Sequence, residues 1–404
     1  MKTKHSSPLA IHGGEPYRQR PFPRRSLYDE HEIDLVTKAL RSQALFQYSG
    51  KYVREFEERF AQAYGVRFAR SSTSGTAAVH VAVGAVDPNP GDEILTAPIT
   101  DFGSIGPILQ QNAVPVFADV RPDTLTVDPS DIERKITART RAIIVVHLFG
   151  TAADMGPILE IARAREIPVI EDCAQAHRTH YKGRWLGTIG DIGCFSFQES
   201  KHMSTGDGGM TITNREDYWE RIRLFVDKGY VRTGWGPRCY RFLAPNYRMS
   251  ELTAAVGLSQ LGKVDRVVQR RRELGELLGS LIDPIEGVER AASTPGSEHS
   301  YWMYPFRVRR WPAHLFGEAL QAEGISNLPG YTGVPMYLCS EALTEARTYG
   351  TSRFPLEGRS YVKGLCPVAE QALNQIIAVG FHEGYSEGDI RDIAGAIEKV
   401  ATHL

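Results

Sequence analysis

Between about Tyr64 and Asn214 the sequence alternates short apolar runs with helical patterns, and this alternation constrains the fold more than any other feature. DEILTAP (92–98), VPVFADV (114–120), AIIVVHLF (142–149) and IPVIEDC (167–173) have strand length and are apolar almost throughout, as strands covered on both faces must be. Between them, MGPILEIARARE (155–166) places Ile158, Leu159, Ile161 and Ala162 near helical period. The pattern predicts an α/β fold with a mostly parallel sheet under crossover helices. After Asn214 the texture changes. A glycine, arginine and aromatic stretch (227–248) precedes a long helical pattern beginning near Ser250, whose packed face is expected to carry Leu252, Val256, Leu261 and Val264. The remainder mixes the strand-like YWMYPFRVR (301–309) with helices and ends in SEGDIRDIAGAIEKVA (386–401). There Ser386 and Asp389 read as a capped helix start and Ile390, Ile393 and Ile397 as its buried stripe. A chain of 404 residues exceeds what one core usually holds. The expectation is a large domain over 1–265, including an N-terminal arm, and a smaller α+β domain over 266–404.

Charge and composition exclude several classes of function. Lys and Arg total 47 against 48 Asp and Glu, a net charge of −1, which leaves no footprint for nucleic acid or an acidic membrane. The run Arg270, Arg271, Arg272 is expected to be a solvated face. No apolar run approaches the roughly 20 residues of a membrane helix. The start MKTKHSSPLAIHGGEP has no apolar core of a secretion signal, so the expected location is the cytoplasm. The five cysteines are scattered with no C-x-x-C pair, which predicts free thiols and no metal site.

Ligands of a parallel sheet sit beyond the carboxyl ends of its strands, so polar residues just after the apolar runs come first. Asp172 follows IPVI directly, with Gln175 three positions on; by itself it reads equally as a helix cap or an exposed acid. In TSGTAAVHVAVGAV (73–86), Ser74, Gly75 and Thr76 precede an alanine-rich helical run, where free N–H groups suit a phosphate, though the same triplet serves as an ordinary cap. In DIGCFSFQESKHMSTGDGGMTITN (191–214), Ser196 and Lys201 lie between a strand-like run and a glycine turn. A loop lysine is usually solvated. A desolvated one loses basicity and becomes a Schiff-base nucleophile. A phosphate cradle, a carboxylate and an amine together are what pyridoxal phosphate needs: the amine bonds the aldehyde, the acid keeps the pyridine nitrogen protonated, and the helix start anchors the phosphate.

The motifs S-G-T-A-A (74–78), G-D-E-I (91–94), V-H-L-F-G (146–150), E-D-C-A-Q-A-H (171–177), F-S-F-x-x-x-K-x-x-x-x-G-D-G-G (195–209) and N-Y-R-M-S-E (246–251) resemble those of the DegT/DnrJ/EryC1/StrS family of sugar and cyclitol aminotransferases. The resemblance runs from the GGEP near residue 13 to the terminal helix. It implies the aspartate-aminotransferase fold (fold type I) and pyridoxal 5′-phosphate as cofactor, with pyridoxamine phosphate as the amino-carrying form. It implies Lys201 as Schiff-base lysine and proton shuttle, Asp172 as partner of the pyridine nitrogen, and Gln175 on the ring-hydroxyl side. Gly75, Thr76 and Ser196 would hold the phosphate, with Asn246 reaching in from the other subunit of a homodimer with shared active sites. The implied reaction moves the amino group of glutamate or glutamine to a keto-sugar or keto-cyclitol, as in amino-sugar and antibiotic biosynthesis.

Three positions depart from or qualify the family pattern. In many relatives a threonine is followed by an aromatic residue whose ring stacks on the cofactor; here the order is Thr100-Asp101-Phe102, which puts Asp101 at the stacking position and leaves either Phe102 or no residue to replace the ring. Tyr337 stands near the place of a histidine in the sugar-facing loop, and the glycine and aromatic residues around 229–247 and 329–337 are expected to shape the acceptor pocket. His202 follows Lys201, and relatives with a histidine in place of that lysine are sugar dehydrases; retention of Lys201 favours transamination over dehydration. The alternatives are a dehydratase of the same fold and a non-catalytic sensor that binds the cofactor or a sugar.

Overall fold

The computed structural model describes residues 8–232 and 236–404; residues 1–7 of the N-terminal stretch and residues 233–235 of the glycine and aromatic stretch lie outside it. Seven strands form the main sheet: β1 (Phe68–Ser72), β2 (Glu93–Thr96), β3 (Val114–Phe117), β4 (Thr140–Val146), β5 (Val169–Asp172), β6 (Ile192–Ser196) and β7 (Gly209–Thr213). Their order is β1-β7-β6-β5-β4-β2-β3, and β7 alone runs against its neighbours. All four apolar runs read as strands are strands.

Alternation along each strand feeds two cores. Leu95, Ile143, Val145, Val169 and Phe195 face a cluster that includes Phe56, Phe60 and Phe197. Ile94, Ala142, Ile144, Ile170 and Ile192 face the helix Gly75–Val86 (α1). That helix is buried on every side from Ala77 to Val86, because the helix Glu216–Phe225 closes over it. Small residues make the approach possible: a Cβ on Gly84 would meet the Phe225 ring at 2.1 Å.

The helical pattern near Ser250 forms two helices, Glu251–Leu261 (α2) and Val264–Ile282 (α3), separated at Gly262-Lys263. The expected packed face is only part of the buried one. Val264 is buried and Leu252 and Leu261 pack half-buried against the core, as expected, but Val256 is only half-buried and the most buried face of α2 carries Ala254, Ala255, Gly257 and Leu258. A periodicity weighted by large side chains missed it, because close helix packing selects small ones: a Cβ on Gly257 would lie 2.7 Å from the Phe56 ring. The expected solvated arginine face is also corrected, since Arg271 is only 1% exposed and pairs with Glu383. Net charge says nothing about one guanidinium that finds a half-buried carboxylate.

A second sheet, antiparallel throughout, follows in the chain: β8 (Val288–Arg290), β9 (Tyr304–Val308), β10 (Asn327–Pro329) and β11 (Ile376–Val379), in the order β8-β9-β11-β10. The last helix, Glu387–His403 (α4), starts at a capping box between Ser386 and Asp389 and buries Ile390, Ile393 and Ile397, as the sequence predicts. All five cysteines are free. Among the described residues no helix is long and apolar enough to cross a membrane.

Candidate active site

Parallel strands end together, so residues distant in sequence meet along one edge of the sheet. A cavity of about 430 Å³ lies there, lined by Ser74, Gly75, Thr76, Thr100, Asp101, Ser104, Asp172, Gln175, Ser196, Lys201, Asp207, Trp302 and Tyr331 among others. Six of the seven residues singled out from the sequence therefore share one cavity. The seventh, Asn246, is exposed outside that lining, bridged to Asp227.

Asp172 is the last residue of β5 and is buried. Ser104 Oγ donates to one carboxylate oxygen at 2.7 Å and the Ala174 N–H to the other at 3.0 Å. Burial raises the Asp172 pKa above the ordinary carboxylate value, against the pull of those donors and of the Lys201 charge. A cation placed beside it would restore the charged form. Its neighbour Glu171 points the other way, as strand alternation requires. Glu171 accepts from the N–H groups of Gly187, Ile189 and Gly190 and contacts His147 Nε2, whose Nδ1 accepts from the Ala153 N–H. His147 and Glu171 thus brace each other by hydrogen bonds; Cys173 lies beside them, and the ligand atoms of the three lie within 4.8 Å of one another.

Ser74 caps α1 by accepting from the Ala77 N–H at 3.0 Å, which leaves the Gly75 and Thr76 N–H groups with no acceptor among the described residues. They face the cavity with the positive end of the helix behind them. Glycine is required at 75: a Cβ there would lie 2.5 Å from Ser196 Cβ. His177 Nε2 donates to the Ser196 carbonyl at 2.8 Å, and burial holds this imidazole neutral, with a pKa of about 4.

Lys201 lies in the turn after β6, with no hydrogen bond or ion pair to its amine among the described residues. Its Nζ sits 3.9 Å from the centre of the Trp302 ring, and the Trp302 indole N–H donates to the Ser200 carbonyl at 3.1 Å. The side chain as a whole is half-buried because it opens to the cavity, while the amine is largely desolvated. Burial brings its pKa down to about 8, with the Asp172 and Asp101 charges pulling upward. An appreciable fraction of free amine is thus present near neutral pH.

Asp101 lines the cavity and caps the turn that follows, accepting from the Gly103 N–H at 2.8 Å; Phe102 is exposed and absent from the lining. Because a negative charge stabilises the ammonium, Asp101→Asn is expected to lower the Lys201 pKa further. The midpoint of amine reactivity, read from the pH dependence of reductive trapping of a small aldehyde at Lys201, moves to lower pH. An unchanged or higher midpoint contradicts this electrostatic reading.

Tyr337 is fully buried, donates to Glu370 at 2.7 Å and packs on Phe117, so it does not line the cavity. Tyr331 takes that place: its hydroxyl accepts from Gln175 Nε2 at 3.0 Å, while Gln175 Oε1 accepts from the Phe149 N–H at 2.8 Å. His202 is buried behind Lys201 with Nε2 on the Ser300 carbonyl. Sequence reasoning missed Ser104 and Trp302, whereas Tyr331 belongs to the aromatic stretch around 329–337 expected to shape the pocket. Ser104 had a usable signal, four residues after Thr100 beyond a strand end; Trp302 comes from the second half of the chain, where nothing local marks it.

The profile of the DegT/DnrJ/EryC1/StrS aminotransferase family matches residues 27–398. The chain belongs to this family. Among its relatives, the L-glutamine:2-deoxy-scyllo-inosose aminotransferase of Streptomyces kanamyceticus is 34% identical, with 98% of each chain covered. A putative L-glutamine:3-amino-2,3-dideoxy-scyllo-inosose aminotransferase of Micromonospora echinospora is 36% identical over 78% of each chain. Of solved structures, an aminotransferase from Psychrobacter cryohalolentis superposes with a TM-score of 0.84 at 28% identity, covering 95% of this chain and all of that one. DesV of S. venezuelae, solved in complex with a ketimine intermediate, does so with a TM-score of 0.83 at 26% identity, covering 93% of this chain and 95% of that one. The aminotransferase therefore has fold type I, and its family implies pyridoxal phosphate.

Proposed function

We propose that this aminotransferase transfers the amino group of an amino acid, L-glutamine before glutamate, to the ketone of a cyclitol or sugar, as a cytoplasmic homodimer using pyridoxal 5′-phosphate. The observation that carries this is the meeting of a desolvated, unpaired lysine amine and a buried carboxyl in one cavity whose floor is an uncapped pair of helix N–H groups. The named substrates of the relatives support the choice of donor and acceptor.

The residues fit the cofactor. The free Gly75 and Thr76 N–H groups, with Ser196 packed against Gly75, match a phosphate. The Asp172 carboxyl, costly to ionise alone, matches a protonated ring nitrogen. When bound, pyridoxal phosphate supplies an aldehyde that takes up an amine and a ring that accepts an electron pair. Lys201 would bond the aldehyde carbon and then, as a free amine, carry the proton between substrate and cofactor carbons. Ser104 would aim Asp172, Gln175 and Tyr331 would bound the ring-hydroxyl side, and Asn246 would reach the phosphate of the partner's site. The division into a cofactor-binding domain over 1–265 and a small domain over 266–404 belongs to the same proposal.

The test uses the cofactor-loaded enzyme with glutamine labelled with nitrogen-15 at the α-amino group and a panel of inososes and keto-sugars. The expected result is labelled amine in a cyclitol or sugar product and an equal amount of the keto acid. Loss of water from the acceptor without nitrogen transfer favours a dehydratase, and no reaction with any amino donor favours a sensor; either overturns the proposal.

A further inference from the structure

Behind the cavity, on the far side of the turn that carries Lys201, one carboxylate joins two arginines from distant parts of the chain. Arg25 comes from the extended segment 21–29, Arg271 from α3, and Glu383 from the turn between β11 and α4. Glu383 accepts from Arg25 Nε at 2.8 Å and from Arg271 Nε at 3.0 Å, one oxygen for each. Both Nη atoms of Arg25 and Nη1 of Arg271 bond backbone carbonyls beside the site. Arg25 Nη1 donates to the carbonyls of Glu199 (3.0 Å) and Lys201 (2.7 Å), and its Nη2 to that of His202 (3.0 Å). Arg271 Nη1 donates to the carbonyls of Tyr301 (3.3 Å) and Trp302 (3.2 Å).

We propose that Glu383 is a positioning residue: through Arg25 and Arg271 it fixes the Lys201 backbone and the Trp302 backbone relative to each other, and so holds the reactive amine under the indole ring. The inference rests on Lys201 being the amine of the proposed reaction. Three features set it apart from ordinary loop anchoring. Arg25 binds the carbonyl of Lys201 itself and that of the next residue, so its displacement rotates the lysine rather than a remote part of the turn. Arg271 binds the residue whose ring lies 3.9 Å from that amine. And a single carboxylate orients both guanidiniums, so the two anchors cannot move independently. Burial alone would raise the Glu383 pKa, but the facing Arg271 and Arg25 charges hold it below the ordinary value, so the anchor stays ionised at neutral pH. A second consequence is coupling. The N-terminal arm touches the Lys201 carbonyl directly through Arg25, and the segment beside the second sheet is tied to that arginine by Glu383, with neither Arg25 nor Glu383 in the cavity lining.

The test compares Glu383→Gln, nearly isosteric and uncharged, with wild type and with Asp392→Asn, which weakens another arm anchor, the pair of Arg18 with Asp392. Misplacement of a reacting group by about 1 Å costs up to roughly 100-fold in rate. Glu383→Gln is therefore expected to lower kcat about 10- to 100-fold with the acceptor KM changed less than about threefold. Loosening the turn also lets water reach the amine, so the pH midpoint of reductive trapping at Lys201 moves upward from about 8. Asp392→Asn lowers the melting temperature without moving that midpoint. In Arg25→Ala, added guanidinium at millimolar concentration is expected to restore turnover in a dose-dependent way, which provides the readout if Glu383→Gln does not fold. A lowered melting temperature with kcat and midpoint within about twofold of wild type, or no rescue of a folded Arg25→Ala, overturns the proposal. Trapping that persists in Lys201→Ala would instead overturn the assignment of the amine, a separate failure.

Discussion

Lys201→Ala is expected to reduce amino transfer by at least about 10²- to 10⁴-fold, the range that a positioned proton-transfer group contributes, and to abolish borohydride fixation of the cofactor to the chain. The two losses have one origin, since the same Nζ is bonding partner and proton carrier, and no other amine or imidazole lines the cavity among the described residues. His202 is the nearest alternative base in sequence. It cannot substitute, because it is buried away from the lining and its Nε2 is occupied by the Ser300 carbonyl. The apoprotein gives an independent readout. A lysine whose folded pKa lies near 8, below its unfolded value, costs stability at every pH below about 8, and that cost disappears as pH rises through about 10.5. Lys201→Met, which keeps the length without the charge, is therefore expected to melt above wild type at pH 7 and to lose that advantage above about pH 10.5. Turnover of Lys201→Ala within tenfold of wild type, with cofactor still fixed by borohydride, would remove the amine from the mechanism.

What the sequence disclosed about this site follows from how sheets present their ends. Gly75, Asp172, Ser196 and Lys201 each follow or border an apolar run, so local pattern alone placed them at strand or helix termini, and termini of parallel strands converge. Trp302 was invisible for the converse reason, and Tyr331 was foreshadowed only as one of the aromatic residues around 329–337. Both reach the cavity from segments around the second sheet, and the register of that approach is a tertiary fact. Arg271 illustrates the same limit with the opposite outcome: three consecutive arginines look like a solvated stripe until one of them finds Glu383, 112 positions away. The helical face of α2 was read only in part because hydrophobic periodicity weights large side chains, while the closest packing here, against Phe56, uses Gly257.

Glu323→Ala is expected to destabilise the protein by about 3–5 kcal/mol, the usual cost of leaving one partner of a buried ion pair alone. Glu323 and Lys399 lie 2.9 Å apart with side chains 0% and 1% exposed. The carboxylate also accepts from the Ala10 N–H at 2.8 Å and the Tyr17 N–H at 2.7 Å, and Lys399 Nζ donates to the Glu15 carbonyl at 2.9 Å. Removing Glu323 thus leaves a buried ammonium with the Glu15 carbonyl but no counter-charge and takes the acceptor from two backbone donors, so the loss exceeds that of the attraction itself. For a chain of this size, with an unfolding entropy of about 2.1 cal/mol/K per residue, 3–5 kcal/mol corresponds to a fall of roughly 4–6 °C in melting temperature. Replacing both partners, as Glu323→Leu with Lys399→Met, removes the stranded charge and is expected to recover much of that fall, while the arm from Ala10 to Tyr17 still lacks its acceptor. Limited proteolysis separates the two effects: the arm becomes cleavable in the single and the double variant, whereas only the single variant loses the full melting shift. The arm continues to Arg25, so its release also removes one side of the Glu383 anchor, and both variants should show the raised trapping midpoint of Glu383→Gln. A single variant that melts within about 1 °C of wild type would mean that water reaches Lys399 in the folded protein, and the arm would then have to be held by its other contacts, chiefly Arg18 with Asp389 and Asp392.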